Sequence, residues 1–124
     1  MRGFLLVFLG GGIGSAIRHG VNVGFARLFG TALPFPTLFE NVTGSLLMGL
    51  LVGYFAFKSD ASQALRLFLT TGILGGYTTF SAFSLDTVVL WERGQYGVAL
   101  VYVAASVGAS LAGLALGLAL MRAT

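Results

Sequence analysis

Four long stretches of mostly apolar residues alternate along the chain with short segments that are rich in proline, glycine and charged residues. The apolar stretches predict helices over residues 3–29, 37–57, 62–90 and 97–121, which we number spans 1 to 4. A helix needs about 20 apolar residues to cross the hydrocarbon core of a bilayer, and each stretch is long enough. The pattern therefore predicts an all-α integral membrane protein whose four transmembrane helices form a single domain over residues 1–124.

The short segments between the spans carry the signals that end helices. The only two prolines of the chain, Pro34 and Pro36, lie between spans 1 and 2, and residues 58–60 form a charged turn before span 3. Trp91 and Tyr96 flank the last connection, and such amphipathic aromatic side chains favour the level of the lipid headgroups. Four crossings return the chain to its starting side, so both termini are expected on the same face of the membrane.

The composition supports a membrane protein and excludes several other classes. Apolar residues make up 56% of the chain, charged residues only 9%, and the mean hydropathy is +0.93. A soluble domain has roughly a quarter of its residues charged, and a disordered chain has far less apolar surface. The net charge of +3 is spread thinly, without a cluster of Lys or Arg that could follow phosphates, so we expect no nucleic-acid partner. The absence of cysteine removes disulfides and thiolate metal sites.

The basic residues are divided between the two faces of the membrane with only a small excess on one of them. The face with the termini carries Arg2, Lys58, Arg66 and Arg122, and the opposite face carries Arg27 and Arg93. Cytoplasmic loops usually hold the excess of Lys and Arg, which favours cytoplasmic termini. Because the excess is small, the sequence is compatible with insertion in both orientations.

Spans 2 and 4 each carry polar residues at a spacing of four, which places them on one helix face. The two stripes are Thr37, Asn41 and Ser45 in span 2, and Tyr102, Ser106 and Ser110 in span 4. Polar groups are costly in hydrocarbon unless they are hydrated or partnered, and a row of neutral donors suits a small anion or water better than a cation. Each Ser or Thr can alternatively bond back to its own helix, whereas Asn41 is expected to have a functional or inter-helix role.

The centre of span 3 contains two glycines and two threonines in the run Gly75-Gly76-Tyr77-Thr78-Thr79. If the helix breaks there, near the middle of the membrane, backbone carbonyls lose their partners and become ligands that suit a hard monovalent cation. The alternative is a continuous helix that the glycines only soften. Phe80 and Phe83 follow three residues apart, and they either fill the core of the bundle or line a polar track.

Small residues recur in the spans, and the chain contains 19 glycines. In span 4 a small residue stands at every fourth position, at Ala105, Ala109, Gly113 and Gly117. Such a face lets two helices approach closely in a membrane, so the repeat predicts a compact bundle.

Three segments together carry a resemblance to a known family. They are GGGIGSAIR at residues 10–18, TLFENVTGS at residues 37–45 and GILGGYTTFSAFS at residues 72–84. In these segments, in its length and in its four spans, the chain resembles the CrcB/Fluc fluoride ion channel family, and the third segment is the most specific. The resemblance implies a fluoride-specific ion channel that lowers cytoplasmic fluoride by passive efflux across a bacterial inner membrane.

The resemblance also implies an assembly and a set of site residues. The family forms antiparallel homodimers of dual topology, with two fluoride pathways and a structural sodium ion (Na+) that is not transported. The implied anion pathway consists of Asn41, Phe80, Phe83, Tyr102 and Ser110, and the implied Na+ ligands are the backbone carbonyls of Gly75 and Thr78. In this assignment Asn41 donates to fluoride, and the phenylalanines offer their ring edges, which carry partial positive charge.

Several polar residues have no role assigned by the resemblance. Glu40 occupies a position where the family usually has an apolar residue, and His19 replaces a common aromatic residue. Arg18 matches an arginine of the family without a defined function. Asp86, in the second half of span 3, is expected to pair with another group or to face a wet cavity.

Two other functions fit a chain with four short spans. A small dual-topology multidrug exporter would need a carboxylate deep in its first span, whereas span 1 contains Arg18 and no Asp or Glu. A structural subunit that transports nothing would not need Asn41 or the paired phenylalanines. No nucleophile stands near a base and no carboxylates are paired, so we do not expect an enzyme.

Overall fold

The computed structural model of the protein describes residues 1–124, of which 86% are helical. Four helices are apolar and long enough to cross a membrane, namely span 1 (Arg2–Phe29), span 2 (Phe35–Phe57), span 3 (Gln63–Glu92) and span 4 (Tyr96–Ala123). Each begins and ends within two residues of the stretch predicted from the sequence. The chain is an all-α, multi-pass membrane protein, as predicted.

The connections between the spans are short and have local causes. Span 1 ends at Gly30, whose positive φ of 77° suits a residue without a side chain. Pro36 lies in the first turn of span 2, where a missing N–H leaves no helical carbonyl unpaired. Ser62 caps span 3 by accepting a hydrogen bond from the Leu65 N–H (3.2 Å), and Gly94, with a φ of 79°, turns the chain towards span 4. These short connections make consecutive spans antiparallel.

Spans 2 and 4 pack with their backbones in close contact. Gly49 of span 2 faces the backbone of Leu114, and Gly117 of span 4 faces the backbone of Leu46. A Cβ atom added to Gly117 would lie 2.6 Å from the Leu46 carbonyl oxygen, which is closer than side chains tolerate. Gly117 belongs to the small-residue face predicted for span 4, and its contact explains why that face needs glycine.

Spans 1 and 3 approach each other equally closely, again through glycine. Gly14 lies against the backbone of Ile73, and a Cβ atom added to Gly10 would lie 2.9 Å from the Cα atom of Gly72. Span 3 has wider, π-helical turns over Phe68–Leu74, the stretch that faces these glycines.

Helical geometry stops for two residues near the centre of span 3. Thr78 (φ −85°, ψ 156°) and Thr79 (φ −152°, ψ 121°) are extended, and a second helical segment, span 3b (Phe80–Glu92), begins immediately after them. The axis of the span nevertheless bends by only 16°. Span 3 therefore contains two extended residues within a nearly straight crossing, and the broken helix predicted from the glycines and threonines is not shown.

Much of the apolar surface is not covered by the chain itself. Phe4, Phe8 and Phe80 are among many apolar side chains that are largely exposed. A small buried cluster between spans 3b and 4 consists of Phe83, Leu90, Ala99 and Tyr102. Exposed apolar side chains in this number suit a chain that lies in a lipid bilayer.

Candidate functional site: a polar groove beside the interruption of span 3

An open groove of about 420 Å³, which we call the polar groove, lies between spans 2, 3 and 4. No charged side chain lines it. Its polar and aromatic walls are formed by Asn41, Ser45, Thr78, Thr79, Phe80, Phe83, Ser106 and Ser110. The groove thus contains four of the five residues predicted for an anion pathway, the exception being Tyr102.

The two phenylalanines of the groove differ in their surroundings. Phe80 is 77% exposed, whereas Phe83 is 9% exposed and belongs to the buried cluster. Their ring centroids are 5.5 Å apart, with the ring planes tilted by 52°. Phe80 therefore does not fill the core of this chain, whereas Phe83 does, so the core-filling interpretation applies to only one member of the pair.

Asn41 connects span 2 to the interruption of span 3. Its Nδ2 donates to the Thr79 carbonyl oxygen (2.9 Å), and its Oδ1 accepts from the Thr79 N–H (2.8 Å). The side chain thus replaces both helical partners of Thr79 and holds the extended backbone in place. A carboxamide nitrogen carries two N–H donors, so one donor of Asn41 is left for another acceptor.

The backbone carbonyls around the interruption fall into two groups. The Gly76 carbonyl accepts hydrogen bonds from Arg18 Nε (3.1 Å) and Ser15 Oγ (3.4 Å) of span 1, which gives Arg18 a structural role that the sequence did not reveal. The Thr78 carbonyl accepts no hydrogen bond. In a continuous helix the Gly75 carbonyl would accept a hydrogen bond from the Thr79 N–H, but that N–H donates to Asn41 Oδ1 instead. The carbonyls of Gly75 and Thr78 have therefore lost their regular donors.

This arrangement fits the chemistry of the sodium ion that the resemblance implies. Hard cations prefer oxygen ligands, and a carbonyl without a hydrogen-bond donor offers its lone pairs at no cost in broken bonds. Thr78 would contribute such an oxygen, and Gly75 would contribute the second. The Thr78 hydroxyl donates to the Leu74 carbonyl (3.0 Å), and the backbone oxygen of Thr78 accepts no hydrogen bond.

Tyr102 lies behind Phe83 and outside the polar groove. Its ring centroid is 5.4 Å from that of Phe83, and its hydroxyl donates to Asp86 Oδ2 (3.0 Å). Asp86, with Thr37, lines a second cavity of about 360 Å³ near the connection of spans 1 and 2, which we call the end cavity. Tyr102 and Phe83 thus stand between the polar groove and the end cavity, and Asp86 is both paired and cavity-facing.

Two buried polar side chains near the groove have no hydrogen-bond partner. The Ser106 hydroxyl is buried in the groove wall, although serines in helices usually bond back to a carbonyl. Glu40 is 1% exposed, and neither of its carboxyl oxygens has a partner. The four-residue spacing identified Ser106 as a member of the polar stripe, whereas no sequence pattern indicated that Glu40 is enclosed.

The fold and the groove define a four-span membrane protein whose bundle carries an uncharged polar groove beside two extended residues of span 3. The family described as "CrcB-like protein, Camphor Resistance (CrcB)" matches residues 5–118, so the chain belongs to this family. Similar relatives are proteins named "Fluoride-specific ion channel FluC" from Rhodopseudomonas palustris, which is 62% identical over 97% of both chains, and "Fluoride-specific ion channel FluC 2" from Nitrobacter hamburgensis, which is 57% identical over 96% of both. A Rhizobium meliloti relative, also named as such a channel, is 51% identical over 99% of this chain and 98% of its own.

Proposed function

We propose that this protein is a fluoride-specific ion channel, not an enzyme, and that it lowers cytoplasmic fluoride by passive efflux across the cell inner membrane. The observation that carries the proposal is the uncharged polar groove, which combines amide and hydroxyl donors with two phenylalanine rings. Membership of the CrcB-like family and the names of the relatives support the same function over a multidrug exporter.

The groove offers an anion hydrogen-bond donors that can replace its lost water. The unpartnered Ser106 hydroxyl, the Ser110 hydroxyl and the second N–H of Asn41 are neutral donors on the groove wall. The edges of the Phe80 and Phe83 rings add partial positive charge without the strong hold of an arginine. Conduction requires sites that bind an ion well enough to admit it and weakly enough to release it.

Fluoride flux from liposomes tests this function directly. Vesicles loaded with fluoride and containing the purified protein should release fluoride rapidly to an external fluoride electrode, and vesicles loaded with chloride should retain their anion. Equal release of both anions, or no release beyond that of protein-free vesicles, would contradict a fluoride-specific channel.

We further propose that two chains assemble as an antiparallel, dual-topology homodimer. In a single chain the groove is open, and Phe80 on its wall is 77% exposed, so a second chain could close the passage. The small excess of basic residues on one face favours neither orientation strongly. The chain has no cysteine, so Arg2→Cys and Thr124→Cys can be labelled from each side of a membrane. Labelling from both sides is expected, and labelling from one side only would contradict dual topology.

We also propose that a structural sodium ion is held by the backbone carbonyls of Gly75 and Thr78 from both chains. The support is the loss of regular donors at these two carbonyls, together with the resemblance of the segment 72–84 to the family. Replacing sodium with a large organic cation should loosen the dimer, as measured by its dissociation in detergent. Unchanged dimer stability and full fluoride flux without sodium would contradict this site.

A further inference from the structure

Glu40 is enclosed by its own chain and has nothing to bond. It is 1% exposed, and neither of its carboxyl oxygens has a hydrogen-bond partner. An ionised carboxylate without a partner in an apolar interior carries a large desolvation cost, whereas a protonated carboxyl avoids most of it. The environment therefore favours the neutral form of this side chain.

The charged and titratable groups near Glu40 on other spans form no hydrogen bond with its carboxyl group. Arg18 of span 1, Asp86 of span 3 and Tyr102 of span 4 lie within electrostatic range. Arg18 Nε donates to the Gly76 carbonyl, and Asp86 accepts from Tyr102, so neither forms a bond with Glu40. A metal ion is a poor occupant, because a guanidinium is nearby and no three acidic or histidine side chains converge. A proton is the smallest ligand that removes the charge.

Glu40 lies along the wall that separates the two cavities. On span 2, Thr37 lines the end cavity and Gly44 lines the polar groove, while Glu40 lies between them on the same buried face. On the opposite side, Phe83 lines the groove, and Tyr102 bonds to Asp86 of the end cavity. Glu40 therefore lies between a residue of each cavity along span 2, although it lines neither cavity itself.

We propose that Glu40 is a proton-binding site beside the anion passage, and that fluoride crosses this wall readily only while the proton is bound. This inference rests on the proposed function. An ionised Glu40 adds a second negative charge beside Asp86 in a region of low dielectric, where charges at such separations act strongly on an anion. The neutral carboxyl removes this repulsion, and its O–H group is a further hydrogen-bond donor. Fluoride flux is therefore highest at low pH and falls as Glu40 ionises.

Infrared spectroscopy tests the bound proton without any measurement of transport. A protonated carboxyl has a carbonyl stretching band that a carboxylate lacks, so the wild-type spectrum at neutral pH should contain a band that disappears in Glu40→Gln. Glu92→Gln is the matched control, because Glu92 is exposed at the end of span 3 and its replacement should leave the band intact. If Glu40→Gln fails to fold, the same test is made on the wild type alone, where the band should disappear as the pH is raised. Absence of the band from the wild type at neutral pH would overturn the proposal.

Flux measurements then test the coupling of the proton to conduction. As the pH is raised through the range in which the infrared band disappears, wild-type and Glu92→Gln flux should fall at least about fivefold, whereas Glu40→Gln flux should stay nearly constant. The same pH profile in Glu40→Gln and wild type would overturn the coupling. Absence of fluoride flux at every pH would instead contradict the proposed function, and the infrared result would still decide whether Glu40 carries a proton.

Discussion

Spans 2 and 4 on one side of the molecule and spans 1 and 3 on the other use glycine in the same way, yet only one pair keeps its backbone fully helical. Gly117 brings span 4 against the backbone of span 2, and Gly14 brings span 1 against that of span 3. Spans 2 and 4 are continuous helices, whereas span 3 leaves helical geometry at Thr78 and Thr79. Close packing through glycine is therefore not what interrupts a helix in this protein.

The difference between the two pairs lies in side chains that bind backbone groups. Asn41 takes both hydrogen-bonding groups of Thr79, and Arg18 and Ser15 bond to the Gly76 carbonyl. Spans 2 and 4 have no such partners, and their backbone groups bond within their own helices. Weak helix propensity permits the interruption of span 3, but polar side chains from spans 1 and 2 stabilise it.

The largest expected effect tests what the two pairs have in common. Gly14→Val and Gly117→Val each force a side chain into a backbone contact, so each should lower the free energy of unfolding by about 3 kcal/mol and reduce the yield of folded protein. Gly12→Val is the control in span 1, because nothing lies within 4 Å of an added Cβ atom there. Thermal unfolding of the purified proteins measures the effect. Tolerance of valine at Gly14 but not at Gly117 would show that only spans 2 and 4 require close packing.

The next effect should be confined to the interruption of span 3. Asn41→Ala removes both hydrogen bonds to Thr79, which should lower the free energy of unfolding by about 2 kcal/mol and fluoride flux per folded protein at least about tenfold. Ser45→Ala is the control from the same stripe and groove, and its hydroxyl takes part in no such bond across to span 3.

Asn41→Asp separates the structural role of this side chain from its role towards the anion. The carboxylate can still accept from the Thr79 N–H, but it loses the donor and adds negative charge to the groove. We expect lower flux than in Asn41→Ala, because repulsion of the anion adds to the lost hydrogen bond. Higher flux in Asn41→Asp than in Asn41→Ala would show that the hydrogen bonding of residue 41 to the Thr79 backbone, and not the charge of the groove, limits conduction.

The positions of the spans could be predicted because their signals are local. Apolar length, the two prolines and the aromatic pair at the last turn each act over a few neighbouring residues, and they place the helix ends to within two residues. The spacing of four likewise identified the stripe residues that line the groove. Tyr102 shares the spacing but turns towards Asp86, a residue 16 positions away in another span.

The pair of hydrogen bonds between Asn41 and the Thr79 backbone could not be predicted, because the two residues are 38 positions apart in the chain. Asn41 was expected to be functional or to connect helices, but nothing in the sequence identified Thr79 as its partner. The burial of Glu40 is also a tertiary property, since a glutamate beside Asn41 has the same local pattern whether it faces water or the core. Residue-by-residue roles at the site therefore needed the packing of all four spans.

A smaller effect should separate the two phenylalanines of the groove. Phe83→Met should lower the free energy of unfolding by about 1.5 kcal/mol because Phe83 is buried, whereas Phe80→Met should cost about 0.5 kcal/mol in the isolated chain because Phe80 is exposed. Both variants lose the electropositive ring edge, so both should strongly reduce fluoride efflux per folded protein. Wild-type flux in both would mean that the rings do not take part in the proposed anion passage.

The smallest expected effect compares two caps within span 3, one at the interruption and one at the ordinary start of the span. The Thr79 hydroxyl accepts from the Ala82 N–H (3.1 Å) at the start of span 3b, and Ser62 accepts from the Leu65 N–H (3.2 Å) at the first turn. Removal of such a capping side chain lowers the free energy of unfolding by roughly 0.5 to 2 kcal/mol. We expect a loss of about 1 kcal/mol in the free energy of unfolding for Thr79→Ala, because Thr79 is half-buried, and about 0.5 kcal/mol for Ser62→Ala, because Ser62 is exposed. Flux should fall only in Thr79→Ala, since only that cap orients Phe80 and Phe83. Equal losses of unfolding free energy with unchanged flux in both variants would show that Asn41, Arg18 and Ser15 hold the interruption without help from the Thr79 cap.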